Sequence, residues 1–242
     1  MAEVTLLETR GLTRRFGGLT AVDAVDFRLS RGEVRAIIGP NGAGKSTFVG
    51  LLSGLIAPGA GSIAFDGQDI TRMPAHRRVR AGIAYTFQIT NIYPAMTVLE
   101  NAAIAAQSRL GTGSEAAIEA AARAALAAVG LSDLETRRAG DLAYGHQRLV
   151  EVAMGLALAP KLLILDEPTQ GLSDAEIANF IAVIRRVAAS ATVLLIEHNM
   201  DVVMALAGRI TVMENGRILA EGTPDQITRD PAVQAAYLGG AS

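Results

Sequence analysis

The segment GPNGAGKST, residues 39–47, contains the residue types that bind phosphate groups. It matches the pattern G-x-x-x-x-G-K-[ST] and follows an apolar run, so it predicts a strand that leads through a glycine-rich loop into a helix. Backbone N–H groups of such a loop surround phosphate oxygens, and the helix N-terminus adds positive potential. The positions that we assign to nucleotide binding are Asn41, Gly42, Gly44, Lys45, Ser46 and Thr47.

Two of these side chains have individual roles in this hypothesis. The Lys45 ammonium would reach the β- and γ-phosphates, and the Ser46 hydroxyl would ligate Mg²⁺. The alternative is a glycine-rich turn without a ligand. That alternative does not explain the lysine, because the whole chain contains only one other, Lys161.

An acidic pair, Asp166 and Glu167, follows the apolar run LLIL. The run is typical of a strand buried in a parallel sheet, and Asp166 at its end would hold the magnesium. Glu167 could take a proton from the water that attacks the γ-phosphate, or orient that water. An acidic pair by itself could equally cap the next element, so this assignment depends on the phosphate-binding pattern.

Three further residues are candidates for the same site, each with an alternative. His198 follows the apolar run TVLLI and could hydrogen-bond the γ-phosphate, or it could be an ordinary surface or packed residue. Gln88 ends the strand predicted in GIAYTFQ and could contact the metal or its water, or lie in a solvated loop. Phe16 in RRFGG could stack on adenine, or be a buried loop aromatic.

The elements that must position these residues are visible in the hydrophobic pattern. Short apolar or alternating runs predict strands near residues 4–9, 22–29, 33–38, 61–66, 162–166, 192–196, 210–213 and 217–221. Residues 97–159 form a helical block, with Thr97 and Ser114 as N-caps and Gly130 as a stop signal. Beyond residue 162, strands and helices alternate, which favours parallel-sheet crossovers.

The totals exclude several classes of protein. The 242 residues carry a formal net charge of −2 without a basic cluster, so nucleic-acid binding is not expected. There is no cysteine, which excludes disulfides and thiolate metal sites. The first residues lack the progression of a secretory signal, and no apolar window is long enough to span a membrane. We therefore expect a cytoplasmic chain that meets a membrane only through a partner.

The order of these motifs, with LAYGHQ at residues 142–147 between them, resembles the ATP-binding subunits of ABC transporters over essentially the whole chain. The resemblance implies an α/β fold: a P-loop NTPase core with an N-terminal antiparallel β subdomain and an inserted α-helical subdomain. It implies a single ABC ATPase domain over residues 1–242. The core would comprise residues 1–88 and 160–242, and the helical subdomain about 89–159.

In that family, two subunits close head to tail on two ATP molecules, each held by the P-loop of one subunit and the LSGGQ motif of the other. The resemblance implies an adenine-stacking role for Phe16 and a switch-histidine role for His198. It makes Gln88 the Q-loop glutamine and Asp166 with Glu167 the Walker B pair. Catalysis would then involve Lys45, Gln88, Glu167 and His198, and the metal ligands would be Ser46, Gln88 and Asp166.

The LAYGH segment stands where LSGGQ would stand, at a helix N-terminus directed at a γ-phosphate on another chain. Ala143 replaces the serine of the motif, so no hydroxyl is available there, and we expect weaker ATP-driven closure. A second departure is GLSD at residues 171–174, where the family usually has Gly-Leu-Asp-Pro. The nucleotide contacts implied for this segment are Ala143, Tyr144, Gly145 and His146.

Within the family, YTFQ, LAYG and the ending GTPDQITRDPAVQAAYLGG are most similar to the ATPases of branched-chain amino-acid importers, and GLSDAE is similar to the related urea-type importers. The resemblance implies an Mg²⁺-dependent ATPase on the cytoplasmic face of the membrane. Its partners would be a second ATPase subunit, identical or paralogous, and two transmembrane permease subunits.

Three alternatives remain open at this point. A lipopolysaccharide-export ATPase is a relative with a similar tail. A soluble ABC-type ATPase of DNA repair or translation would show coiled-coil insertions, zinc-binding cysteines or tandem ATPase halves, and none is visible here. A GTPase or kinase with the same phosphate loop would not explain LAYGHQ or His198.

Overall fold

The computed structural model describes residues 4–86 and 91–238. The strands in these ranges are β1 Thr5–Phe16, β2 Leu19–Ser30, β3 Val34–Ile38, β4 Ala60–Phe65, β5 Gln68–Asp69, β6 Ile83–Thr86, β7 Leu162–Asp166, β8 Thr192–Ile196, β9 Arg209–Glu214 and β10 Arg217–Gly222. The helices are α1 Lys45–Ser53, α2 Ala75–Ala81, α3 Val98–Leu110, α4 Glu115–Val129, α5 Tyr144–Ala157, α6 Asp174–Val187, α7 Met200–Leu206, α8 Pro224–Arg229 and α9 Pro231–Leu238.

The chain divides into two compact units. The first comprises Met1–Arg78 and Thr192–Ser242, and the second comprises Val79–Ala191. Antiparallel strands in the N-terminal part, parallel strands and a helical block together confirm the predicted α/β class. The predicted helical subdomain of about residues 89–159 lies within the second unit, and its boundary stays a prediction.

The first unit contains an antiparallel sheet in the order β2-β1-β4-β5. Its strands β1 and β2 each span 12 residues and form a hairpin around Gly17 and Gly18, so they are longer than the predicted segments near 4–9 and 22–29. Register shifts, for example between Thr9 and Leu12, interrupt the pairing. The strands therefore lose the strict apolar–polar alternation by which their full length could be predicted.

Four other strands of the first unit pair in the order β10-β9-β3-β8. β3 is parallel to β8 on one side and to β9 on the other, whereas β10 is antiparallel to β9. Strands β3 and β8 are buried almost throughout, which matches their continuous apolar sequences. Because both run in the same direction, the residues that follow them lie at one edge of the sheet.

The second unit contains the parallel pair β6 and β7 and the helices α3 to α6. The predicted caps of the helical block are confirmed. Thr97 forms a capping box with Glu100, the Ser114 side chain accepts from the N–H of Ala117, and α4 ends at Gly130 in the left-handed conformation. Among the helices in the described ranges, none is both long and apolar enough to span a membrane.

Candidate functional site

The glycine-rich loop lies between β3 and α1, as the sequence predicts. Two of its glycines are required by close backbone contacts: a Cβ atom on Gly39 would collide with the carbonyl oxygen of Met213, and one on Gly44 with that of Ala21. Gly44 is also the N-cap of α1 and has φ 98°, a left-handed conformation that side chains other than glycine rarely adopt. The loop can therefore follow this path only with glycine at these positions.

Lys45 begins α1 and turns back over the loop. Its Nζ donates to the carbonyl oxygens of Gly39 at 2.7 Å and Pro40 at 3.0 Å, and the residue is only 8% exposed. The first turn of α1 contains no acidic residue, whereas Asn41, Gly42 and Ser46 are exposed. A helix N-terminus that begins with a lysine and has no acidic residue in its first turn favours an anionic ligand.

The other end of α1 is stabilised by Arg78, which the sequence analysis did not identify. Its guanidinium donates to the carbonyl oxygens of Leu51 at 2.7 Å and Leu52 at 2.9 Å, and it also donates to Met73 O at 2.8 Å. Burial lowers the pKa of Arg78 to about 10, which still leaves the group charged at neutral pH. A cation at the C-terminus stabilises the helix whose N-terminus carries the loop.

His198 lies at the same sheet edge as the loop. It follows β8, which pairs with β3 so that Ile196 is opposite Ile37. His198 is exposed, whereas the preceding Glu197 is 1% exposed and accepts the backbone N–H of His198 at 3.0 Å and of Asn199 at 3.1 Å. This buried carboxylate, which the sequence analysis missed, fixes the turn that carries the histidine.

Phe16 lies at the end of β1 rather than in a loop, and it is 45% exposed. The alternative of a buried loop aromatic is therefore wrong. The Arg14 guanidinium lies 4.7 Å from the ring centroid, which orients one face of the ring. Its stacking on adenine stays a prediction.

The acidic pair lies in the second unit. Asp166 ends the fully buried strand β7, is 4% exposed and accepts a hydrogen bond of 2.7 Å from the hydroxyl of Tyr85 on β6. Burial, together with the carboxylates of Asp166 and Glu151, raises the pKa of Tyr85, so the hydroxyl keeps its proton and donates. Tyr85, which sequence reasoning did not find, is thus a hydrogen-bond partner of the predicted metal ligand Asp166.

Glu167 adopts a left-handed backbone conformation, with φ 46°. Such a conformation is costly for a residue with a Cβ atom and is concentrated at functional sites. The turn places the half-buried Glu167 directly after the buried Asp166. The two neighbouring carboxylates therefore lie in different environments, one buried and one half-buried.

Tyr85→Phe should lower the free energy of unfolding by about 1.5–3 kcal/mol, because it removes a hydrogen bond to a buried carboxylate. Urea denaturation would measure the change. Tyr93→Phe is the matched control, since Tyr93 is 50% exposed and its change should stay within about 0.5 kcal/mol. Equal effects of the two substitutions would contradict the importance of the Tyr85–Asp166 hydrogen bond.

The LAYGH segment forms the start of α5, as the sequence predicts. Ala143 is the N-cap and provides no side-chain cap. Ala143, Tyr144 and His146 are exposed, whereas Gly145 is buried. The Tyr144 ring is held by the Arg148 guanidinium, which lies 5.5 Å from its centroid and pairs with Glu151 at 3.0 Å.

The residues around the predicted Q-loop are described only in part. Gln88 lies outside the described residues; the strand before it, β6, ends at Thr86. On the far side, Tyr93 is fixed through its backbone by the buried Asn101, which accepts from its N–H at 2.7 Å and donates to its carbonyl at 3.0 Å. The exposed Tyr93 ring therefore extends from an ordered segment.

The predicted magnesium ligands Ser46 and Asp166 have donor atoms of different kinds. In residues 4–86 and 91–238, no group of three or more His, Cys, Asp or Glu side chains could hold a metal by itself. Ser46 and Asp166 provide hydroxyl and carboxylate oxygens, the donors that Mg²⁺ prefers, and Mg²⁺ is commonly bound by one or two protein groups together with phosphates. Each of the two residues taken singly therefore has a donor atom suited to Mg²⁺, and their joint binding of the metal stays a prediction.

The fold is that of an ATP-binding cassette. A solved nucleotide-free ATP-binding cassette from an ABC transporter matches with a TM-score of 0.86 and 29% identity, over 97% of this chain and 99% of that one. The ADP conformation of another such cassette gives a TM-score of 0.87 and 30% identity, over 98% and 99% of the two chains.

The chain belongs to the ABC transporter ATP-binding family, because residues 22–170 match the ABC transporter family and relatives match along almost the full length. Residues 217–242 match the branched-chain amino acid ATP-binding cassette transporter family. The high-affinity branched-chain amino acid transport ATP-binding protein BraF of Pseudomonas aeruginosa is 41% identical, with 98% of both chains covered. LivG of Escherichia coli, which has the same description, is 40% identical, also with 98% of both chains covered. The predicted resemblance is confirmed.

Proposed function

We propose that this chain is the ATP-hydrolysing, energy-coupling subunit of an importer for branched-chain amino acids. The observation that carries the ATPase is the P-loop between β3 and α1, with Lys45 buried over it and His198 following the neighbouring strand. The substrate class rests on the named function of BraF and LivG and on the match of the C-terminal residues 217–242.

The proposed reaction is hydrolysis of ATP, and the site residues divide into groups that bind phosphate and groups that act on the attacking water. The N–H groups of the glycine-rich loop and the N-terminus of α1 bind the phosphates, and Lys45 exchanges its carbonyl partners for the terminal phosphate oxygens. Glu167 accepts a proton from, or orients, the attacking water, and His198 donates to the γ-phosphate. Mg²⁺, held by Ser46, Asp166 and Gln88, would neutralise charge on the β- and γ-phosphates.

Hydrolysis of ATP compared with GTP tests this reaction, with Mg²⁺ present or removed by a chelator. We expect turnover of ATP that requires Mg²⁺. Equal turnover of GTP would favour the alternative of a GTPase, and turnover in the chelator would contradict the metal assignment.

The proposed partners are a second ATPase subunit, identical or paralogous, in a head-to-tail ATP sandwich, and two transmembrane permease subunits. This arrangement would place the chain at the cytoplasmic face of the membrane. Support for a transporter subunit comes from the relatives BraF and LivG, which are described as transport ATP-binding proteins. A lipopolysaccharide-export ATPase and a soluble ABC ATPase are the alternatives, and co-purification with permeases and transport of leucine would exclude both.

Tyr93→Asp should weaken co-purification with the permease subunits and transport-coupled hydrolysis by roughly tenfold, because a charge would be buried against an apolar partner. Tyr93, with Ile92 and Met96 beside it, lies in the segment that we propose as the docking surface. Leu55→Asp is the control, since Leu55 is 52% exposed, similar to the 50% of Tyr93, and lies in the other unit. Unchanged assembly of the Tyr93 variant would contradict this surface.

A further inference from the structure

The N-terminus of α5 is occupied by a carboxylate of the same chain. Glu176 Oε1 accepts a hydrogen bond of 3.2 Å from the backbone N–H of Gly145. The first N–H groups of a helix have no partner within the helix, and the N-cap residue Ala143 cannot provide one through its side chain. Glu176 therefore takes the place of the missing cap.

The same carboxylate caps a second helix. Glu176 Oε2 accepts from the backbone N–H of Ser173 at 2.9 Å and from its hydroxyl at 2.8 Å, so it belongs to the capping box of α6. These bonds from Ser173, then the N–H of Gly145 and the nearby His146, hold the pKa of Glu176 below its ordinary value of 4.5. The group is negatively charged at neutral pH.

The carboxylate also limits access to the Gly145 backbone. Gly145 is buried although Tyr144 and His146 on either side are exposed, and a Cβ atom on Gly145 would collide with the Glu176 carboxylate. A phosphate oxygen that approaches the N–H of Gly145 must therefore displace Glu176, because one N–H group cannot serve two anions at full strength.

We propose that Glu176 is a further residue of the site that receives the partner's ATP: it occupies the Gly145 N–H and must be displaced by the γ-phosphate when the two ATPase subunits close. This inference rests on the proposed function, in which α5 faces the nucleotide of a second subunit. Ala143 has no hydroxyl to bind the phosphate. Competition between Glu176 and the phosphate for the Gly145 N–H therefore has a larger effect on closure. Glu176 thereby sets how much ATP is needed for closure.

Glu176→Gln is the test, made in the Glu167→Gln background that should retain ATP. Glutamine keeps an oxygen that accepts from Gly145 or Ser173 but loses the charge. Removal of the repulsion should strengthen ATP-dependent association with the partner ATPase by roughly three- to tenfold. The advantage should shrink as NaCl rises from about 0.05 to about 0.5 M, because salt screens the charge of the half-buried Glu176.

Asp174→Asn is the matched control. Asp174 is an exposed acidic residue in the same first turn of α6, so it changes the same net charge at the same helix end. We expect a change of less than about twofold. Equal effects of the Glu176 and Asp174 substitutions, or a Glu176 effect that salt does not change, would overturn the inference.

A measurement without nucleotide tests the contact itself. The backbone amide resonance of Gly145 should shift in Glu176→Gln and stay in place in Asp174→Asn; an unshifted resonance in both contradicts the contact. The association measurement distinguishes a failure of the proposed function from a failure of the inference about Glu176. A Glu167→Gln form that never associates with ATP and any partner ATPase contradicts the proposed function and the inference with it, whereas normal association that ignores residue 176 contradicts the inference alone.

Discussion

Lys45→Ala should reduce ATP hydrolysis by roughly a hundredfold or more, because it removes a preorganised positive charge from the phosphates. The fold should persist, because the hydrogen bonds of Lys45 to the carbonyl oxygens of Gly39 and Pro40 act locally on the loop. Steady-state release of phosphate, with circular dichroism as a check on folding, would measure both expectations.

Lys161→Ala is a matched control for this prediction, since Lys161 is the only other lysine of the chain and is exposed. Its hydrolysis rate should stay within about twofold of the parent, as expected for a surface substitution away from the site. A folded Lys45→Ala protein with normal turnover would show that the loop is not the catalytic phosphate site.

Glu167→Gln should bind ATP but hydrolyse it roughly 10²- to 10⁴-fold more slowly, because the amide cannot accept a proton from the attacking water. The phosphate ligands remain, so the ATP-bound closed dimer should accumulate. Sedimentation with Mg-ATP and the partner ATPase would detect it. Glutamine has nearly the same shape as glutamate, so the left-handed conformation at position 167 should be retained.

Glu115→Gln provides the comparison for Glu167→Gln. Glu115 lies in the exposed first turn of α4, and its substitution removes the same charge without affecting the acidic pair. It should hydrolyse ATP at nearly the parent rate and form no lasting dimer. Parent-like turnover of Glu167→Gln itself would remove Glu167 from the catalytic role.

The features that the sequence predicts well depend on neighbours along the chain. The strand, glycine-rich loop and helix that carry Lys45 are encoded within about 20 residues, and the backbone places the glycines where other residues collide. The caps Thr97 and Ser114 are equally local, because each binds the N–H three residues further on. Such signals do not depend on the rest of the fold.

The features that the sequence does not predict depend on contacts across the chain. Tyr85 is 81 residues from Asp166, and Glu176 is 31 residues from Gly145, so neither pair has a local signal. Helix α2 is absent from the sequence prediction for a related reason. Its buried residue is Arg78 rather than an apolar one, and the helix has only seven residues, so no hydrophobic periodicity indicates it.

Leucine uptake into proteoliposomes tests the central claim most directly. This chain would be reconstituted with the permease subunits and any other proteins that co-purify with it, and ATP would be supplied on the side of the ATPase. The account predicts uptake of branched-chain amino acids that requires ATP, is abolished by Lys45→Ala and is retained by Lys161→Ala. Leucine uptake that persists with Lys45→Ala, or ATP-driven transport of an unrelated solute with none of leucine, would contradict it.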